Sequence, residues 1–237
     1  HVLATSAAMR LLVLTAFTLR LLRAGAPIDP RGPPALPGSR QKAVLRRQVS
    51  DEPSGAPTKV AIFAMGRFWC AEPVFARLHG VISTEVGYTG GWKTDPTYED
   101  VHDPPEGQPS GHAFAVRIGY DPGHITLKML LEVFFDAHDA TTINRQGSDV
   151  GSQFRSAIFY DPSDLEDKDT CMEAMWEERP TNGRHVVTAM EDRSIFYRAE
   201  ERHQRYLGRR GQRFTKGAID PIQCEVDEVA LPELVPT

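Results

Sequence analysis

The order of strand-like and helix-like segments after residue 57 is the feature that most constrains the fold of this chain. Period-two alternation and short apolar runs, which are typical of strands, occur at residues 59–64, 81–88, 113–120 and 156–160. Helical patterns lie between these segments, the first of them beginning near Phe68. Because strand, helix and strand follow each other twice, the order predicts an α/β fold, a ferredoxin-like split βαβ two-layer sandwich.

Capping residues predict where the later helices begin. Thr126 is expected to cap a helix that continues to about Ala137. Ser163 and Glu166 have the spacing of a capping box, so a further helix is expected to continue to about Glu178.

The segments between and after these strands and helices are less regular. Residues 91–111 are rich in Pro, Gly and Ser and predict a long loop. A loop of this length in a compact domain is usually functional. A last short helix is expected over residues 199–207, and an irregular C-terminal tail from about Gly208.

The N-terminal segment differs from the rest in charge and composition. The first 50 residues carry eight basic residues and one acidic one, which leaves 19 basic and 31 acidic residues, a net charge of −12, for the remainder. An apolar run at 11–19 resembles a signal peptide, whereas the acid-poor, Arg-rich composition resembles an organellar transit peptide. We therefore expect residues 1–57 to be a disordered leader that directs the chain to an organelle or the secretory pathway. Without a functional leader, the chain would be cytoplasmic.

Several classes of function are excluded by composition. The acidic remainder repels phosphates, so no nucleic acid is expected as a partner. Three cysteines are too few for a disulfide scaffold, and neither His112 nor His138 has the spacing of a metal site. No apolar run reaches the roughly 18 residues of a membrane span, so none is expected in the mature protein.

A series of motifs follows the order seen in one known family. The motifs are residues 66–72, 86–91, 96–101, 110–113, 138–139 with 145–158, 203–207 and 220–224. Together they resemble the peptide methionine sulfoxide reductase A family. The resemblance covers residues 58–224, which we interpret as one domain, followed by an acidic tail at 225–237.

The resemblance implies a thiol reaction and its partners. Members of the family reduce the S-epimer of methionine sulfoxide, free or in peptides, and so repair oxidised proteins. A cysteine thiolate at a helix N-terminus attacks the sulfoxide, and C-terminal cysteines and then thioredoxin resolve the resulting sulfenic acid. The expected partners are therefore an oxidised methionine or a methionine-containing protein, and thioredoxin or another thiol as reductant. The resemblance also implies a monomer that binds no cofactor and no metal.

This sequence departs from the family motifs at the reacting groups. Arg67 stands at the position of the nucleophilic cysteine, Phe114 at that of the acid, Phe154 at that of a tyrosine, and Ala218 at that of a resolving cysteine. An arginine guanidinium stays protonated near neutral pH and cannot act as a nucleophile. Phenylalanine cannot donate a proton.

Other residues of the implied site remain. The expected substrate-binding residues are Phe68, Trp69, Tyr98, Asp149, Phe114 and Phe154. Aromatic rings suit the S-methyl group of the substrate. Trp69 could instead be a core residue, and Asp149 an exposed acid in a loop.

Cys70 is the candidate for a displaced nucleophile. It follows Arg67 by three residues, so in a helix the two lie on nearly the same face. Cys224 is the candidate resolving cysteine. The alternatives are a small buried residue for Cys70 and a free surface thiol for Cys224, whereas Cys171 is expected to pack in the core.

Two functions therefore remain open. The chain is either a reductase that uses Cys70 and Cys224, or a catalytically dead relative that binds methionine-containing peptides. A pocket with Phe114 and Phe154 has lost hydrogen-bond donors and should prefer a thioether to a sulfoxide. A third interpretation is drift in a decaying copy.

Overall fold

A computed structural model describes residues 55–106, 108–178 and 184–224. Its strands are β1 (Lys59–Met65), β2 (Val81–Thr89), β3 (Ala113–Tyr120), β4 (Arg145–Gln146), β5 (Asp149–Val150), β6 (Ser156–Tyr160), β7 (Ala189–Asp192) and β8 (Tyr197–Arg198). Its α-helices are α1 (Phe68–Ala76), α2 (Tyr98–His102), α3 (Leu127–Ala137) and α4 (Leu165–Glu177). Most of the expected leader and the acidic tail lie outside the described residues.

Six strands form the central sheet in the order β7-β6-β1-β3-β2-β8. β3 lies antiparallel between β1 and β2, and β6 pairs antiparallel with the other edge of β1. This places the four predicted strands in the split βαβ arrangement, which confirms the expected ferredoxin-like fold. β7 adds a parallel strand beside β6, while β4 and β5 form a separate hairpin.

The main core lies between this sheet and the helices. Phe63 of β1 packs against Phe75 of α1 and Phe134 of α3, with ring centroids 5.5 and 5.1 Å apart. Its neighbour Ile62 belongs to a second buried cluster, because successive strand side chains point to opposite faces. Among the described residues, no helix is long and apolar enough to span a membrane.

The expected helix over residues 199–207 is wrong. Only a 3₁₀ turn at Glu201–His203 forms, and Arg205 then adopts a left-handed φ of 50°. Buried groups dictate this path, since the Arg205 amide donates to the Glu72 carboxylate at 2.7 Å. The Gln204 side chain also bonds both main-chain groups of Val86. Tertiary hydrogen bonds therefore replace helical ones.

The capping predictions have mixed outcomes. Thr126 caps α3 by accepting from the Met129 amide, as predicted. The capping box at Ser163 is wrong, because Asp164 caps α4 while the Ser163 hydroxyl donates to Asp161 at 2.6 Å.

The segment 91–111 is not wholly a loop. It contains the short helix α2, which is held by a capping box between Thr97 and Asp100. This helix presents Tyr98 at its first position.

Candidate functional site

Arg67 stands at the N-cap of α1, directly after β1. Its guanidinium donates two hydrogen bonds to the Asp149 carboxylate, from Nε at 2.7 Å and from Nη2 at 2.8 Å. The guanidinium carbon also lies 5.6 Å from the Trp69 ring centroid and 5.8 Å from that of Phe154. The side chains of Arg67 and Asp149 are 29% and 20% exposed, so the pair forms a partly solvated cover beside these rings.

The backbone before Arg67 requires a glycine. Gly66 has a φ of 91°, which is a left-handed conformation that side chains disfavour. A Cβ there would also lie 2.7 Å from the Gln146 side chain. Because Gln146 belongs to the β4–β5 hairpin that carries Asp149, this close approach helps to set the hairpin beside α1.

The expected substrate-binding aromatics lie together. We call Phe68, Trp69, Tyr98, Phe114 and Phe154 the aromatic cluster. Phe68 is central, with its ring centroid 4.8 Å from Phe114 and 6.3 Å from both Trp69 and Tyr98. Phe154 joins through Phe114 at 5.4 Å. All except Tyr98 are buried. Residues 114 and 154 therefore contribute apolar rings at the positions where the family resemblance implies an acid and a phenol.

Three polar residues behind the cluster were missed by the sequence argument. The Tyr88 hydroxyl donates to Glu200 at 2.6 Å, and the other oxygen of Glu200 accepts from the Tyr98 amide at 2.9 Å. Burial raises the pKa of Glu200, but these hydrogen bonds outweigh it and lower the pKa overall. Trp69 donates its indole N–H to His203. Burial lowers the pKa of His203 to about 4. His203 belongs to the family motif at residues 203–207, whereas no sequence signal indicated that Glu200 would contact Tyr98.

The cysteines divide into a pair and a single buried thiol. Cys70 lies in the first turn of α1, and its sulfur is bonded to that of Cys224, 154 residues later. Their Cα atoms are 5.4 Å apart, which is an ordinary separation for a disulfide. Cys171 is buried in α4, as expected, and burial raises the pKa of its thiol to about 12.

The two histidines noted in the sequence serve as framework residues. His112 bonds the Lys93 carbonyl at 2.7 Å, and His138 bonds the Phe134 carbonyl and the Ser156 hydroxyl, each at 2.7 Å. Across residues 55–106, 108–178 and 184–224, no three His, Cys, Asp or Glu side chains converge to hold a metal ion.

His138 should make folding stability depend on pH. Burial lowers its pKa to about 4, below its ordinary value of 6.5. The unfolded chain therefore binds the proton first, so stability present above pH 6.5 is lost as pH falls toward 4, by on the order of 3 kcal/mol. Urea unfolding should show this loss in wild type and a smaller loss in His138→Gln. His185→Gln, at an exposed position, is the control.

Glu72 opposes this trend, since burial raises its pKa to about 7 and its stabilising effect is lost as pH rises from 4.5 to 7. The comparison between wild type and His138→Gln removes that background. An equal acid loss in both proteins would contradict the assignment.

Comparisons with known proteins identify the family to which this fold belongs. The family model of peptide methionine sulfoxide reductases matches residues 59–231. Peptide methionine sulfoxide reductase A2-1 of Oryza sativa subsp. japonica is 43% identical over 179 residues, which cover 74% of this chain and 90% of the relative. Peptide methionine sulfoxide reductase A4, chloroplastic, of Arabidopsis thaliana is 38% identical over 187 residues, or 77% of this chain and 70% of the relative.

A solved structure shows the same architecture. The crystal structure of reduced Mxr1 from Saccharomyces cerevisiae matches with a TM-score of 0.56 and 30% identity, covering 68% of this chain and 90% of Mxr1. The fold and the matches together define an oxidoreductase of the methionine sulfoxide reductase class. Within that class, the chain belongs to the peptide methionine sulfoxide reductase A family.

Proposed function

We propose that this chain reduces methionine S-sulfoxide, free or in peptides, with Cys70 as nucleophile and Cys224 as resolving cysteine. The observation that carries the proposal is the bond between the two sulfurs at the first turn of α1. This turn is also the place where the family motif puts its reactive thiol, three residues earlier. A helix N-terminus favours the thiolate form of a cysteine.

The proposed reaction conserves atoms and electrons. The Cys70 thiolate attacks the sulfoxide sulfur, and the sulfoxide oxygen takes up a proton from water. The oxygen then passes to the Cys70 sulfur as the bond between the two sulfurs breaks, which releases methionine and leaves Cys70 as a sulfenic acid. The Cys224 thiol then attacks the Cys70 sulfur, which forms the disulfide and releases water. Members of the family use a thiol reductant such as thioredoxin. We assign that role here to a thioredoxin dithiol, which becomes a disulfide as both cysteines are restored.

The surrounding side chains determine how fast this reaction runs. The aromatic cluster offers an apolar contact for the S-methyl group. Phe114 and Phe154, however, cannot protonate the departing oxygen, and general acid catalysis typically contributes about 10²–10⁴-fold. The Arg67 guanidinium is held by Asp149 beside the cluster. We therefore expect slow turnover in the natural chain.

A single-turnover experiment tests the proposal directly. Protein reduced with dithiothreitol and freed of it should convert about one methionine S-sulfoxide per chain to methionine, because one dithiol supplies two electrons. Mass spectrometry should then show the loss of two of the three thiols and a peptide linked through Cys70 and Cys224. Cys171→Ser, which changes a buried thiol outside the pair, should behave as wild type. The R-epimer serves as the substrate control.

A second function is favoured by the composition of the aromatic cluster. Phe114 and Phe154 make it apolar, so a catalytically dead chain could bind methionine side chains there. Phe114 and Phe154 offer a sulfoxide oxygen no donor, and a buried oxygen that lacks a donor costs a few kcal/mol. If no methionine forms in the single-turnover experiment, the reductase proposal fails. Saturable binding of a methionine peptide, weaker for its sulfoxide, would then support the binding function.

We also propose that residues 1–57 form a targeting leader and that residues 58–224 act as one monomeric domain. The basic, acid-poor composition of the first 50 residues supports the leader. The chloroplastic relative makes an organelle a reasonable destination. A fluorescent protein fused to residues 1–57 should be sorted to an organelle or the secretory pathway, and diffuse cytoplasmic fluorescence would contradict the leader.

A further inference from the structure

The segment that precedes Cys224 is bound to the end of α1 opposite to Cys70. The Lys216 ammonium donates to three main-chain oxygens there, those of Ala76, Leu78 and Val81, at 2.9, 3.0 and 2.6 Å. A cation is favourable at a helix C-terminus, where carbonyl groups lack helical partners. Lys216 therefore forms a first anchor, eight residues before Cys224.

A second anchor lies closer to Cys224. The guanidinium of Arg77, whose side chain is 1% exposed, donates to the main-chain oxygen of Asp220 at 2.8 Å and to its carboxylate at 3.2 Å. The Gln212 amide donates to the same carboxylate at 2.6 Å and accepts from the Gln223 amide at 3.1 Å. These bonds fix residues 220–223, immediately before the resolving cysteine.

We propose that Lys216, Gln212 and Asp220 are positioning residues that hold the Cys224 thiol within reach of Cys70. The inference rests on the proposed function only for the use of this disulfide in turnover. With the second anchor in place, the main-chain amide of Gln223, directly before Cys224, is held by Gln212. The side chain of Ile222, two residues before Cys224, is buried in the core, and the anchors hold the segment from which it packs.

The hydrogen bonds that are lost set the expected size of the effect. Gln212→Ala with Asp220→Ala removes the bonds of Gln212 to residues 220, 221 and 223 and the ion pair of Arg77 with Asp220, but it keeps the bond from Arg77 to the Asp220 main-chain oxygen. Loss of a net hydrogen bond lowers an equilibrium constant by roughly two- to tenfold. We therefore expect the effective concentration of Cys224 to fall about threefold in this double variant and about tenfold when Lys216 is also replaced. Loss of Lys216 alone should change it less than about twofold, because the second anchor still holds the last residues.

Equilibration with glutathione measures this quantity without any sulfoxide. Both thiols are oxidised to the disulfide while one glutathione disulfide is reduced to two glutathione molecules. The full chain is equilibrated over a range of glutathione ratios, trapped with an alkylating agent and weighed by mass spectrometry. The variants are Lys216→Met, Gln212→Ala with Asp220→Ala, and all three substitutions together. Lys128→Met, at an exposed lysine on α3, is the charge-matched control.

The expected equilibrium constants fall in the order wild type and Lys128→Met, then Lys216→Met, the double variant, and the triple variant about tenfold below wild type. Near-ultraviolet circular dichroism of the reduced proteins checks that each variant is folded. If the triple variant does not fold, the expected change of about threefold in the double variant is the test. An unchanged constant in a folded variant would overturn the positioning role. Inactivity toward methionine sulfoxide would instead count only against the proposed function.

Discussion

The double variant Arg67→Cys with Phe114→Glu is expected to reduce methionine S-sulfoxide about 10³-fold faster than wild type, because it combines a thiol at the helix N-cap with a general acid. Residue 67 is the N-cap of α1, so a thiol there is near the helix N-terminus, which lowers its pKa. The substitution also removes the guanidinium beside the cluster. A carboxyl group at position 114, which is 2% exposed in wild type, would be desolvated and stay protonated near neutral pH.

The measurement is dithiothreitol-coupled reduction of a methionine S-sulfoxide peptide, followed as methionine released per chain. Arg67→Ser with Phe114→Glu is the matched control, because it has the same acid and opens the same space without adding a thiol. This control can gain only what the acid adds to the reaction of Cys70, so it should be slower than the double variant. If the double variant is folded but no faster than the control, a thiol at position 67 does not reach the bound substrate.

Cys70→Ser is expected to lower methionine formation by the natural chain to the uncatalysed background. A serine hydroxyl is a far weaker nucleophile than a thiolate, and the guanidinium of Arg67 cannot replace it. Cys224→Ser should behave differently. It should still form about one methionine per chain, but the reaction should stop at the Cys70 sulfenic acid.

A sulfenic acid trap followed by mass spectrometry separates these two outcomes. The trap should label Cys70 in Cys224→Ser and label nothing at residue 70 in Cys70→Ser. Cys171→Ser should match wild type in both rate and labelling. Turnover that survives in Cys70→Ser would assign the nucleophile to another group.

The central elements of the fold could be predicted because their apolar periodicity is local. Alternating or continuous apolar residues mark β1, β2, β3 and β6 in the sequence. Thr126 is a favourable N-cap residue at the start of α3. The aromatic cluster could be anticipated only from the family motifs. Phe68 and Phe154, for example, are 86 residues apart, and their periodicity alone would assign both to a core.

The missed features depend on contacts between distant residues. The backbone at Arg205 is not helical, because its amide donates a hydrogen bond to the Glu72 carboxylate on α1. The bidentate pair of Arg67 and Asp149 spans 82 residues, and sequence spacing does not predict it, since spacing does not determine which side chains tertiary packing brings together. Cys70 and Cys224 lie 154 residues apart, and only the family resemblance made them candidates for a pair.

The apolar residues of the site also affect how stability and chemistry compete. Burying a phenylalanine side chain contributes roughly 1.5–3 kcal/mol to folding, whereas a buried carboxyl group or an incompletely paired phenol costs free energy. Phe114 and Phe154 are 2% and 4% exposed, so the site itself stabilises the domain. Restoring reactive groups at these positions trades that stability for rate. Selection for a durable fold and selection for fast repair would therefore favour different residues in the same pocket.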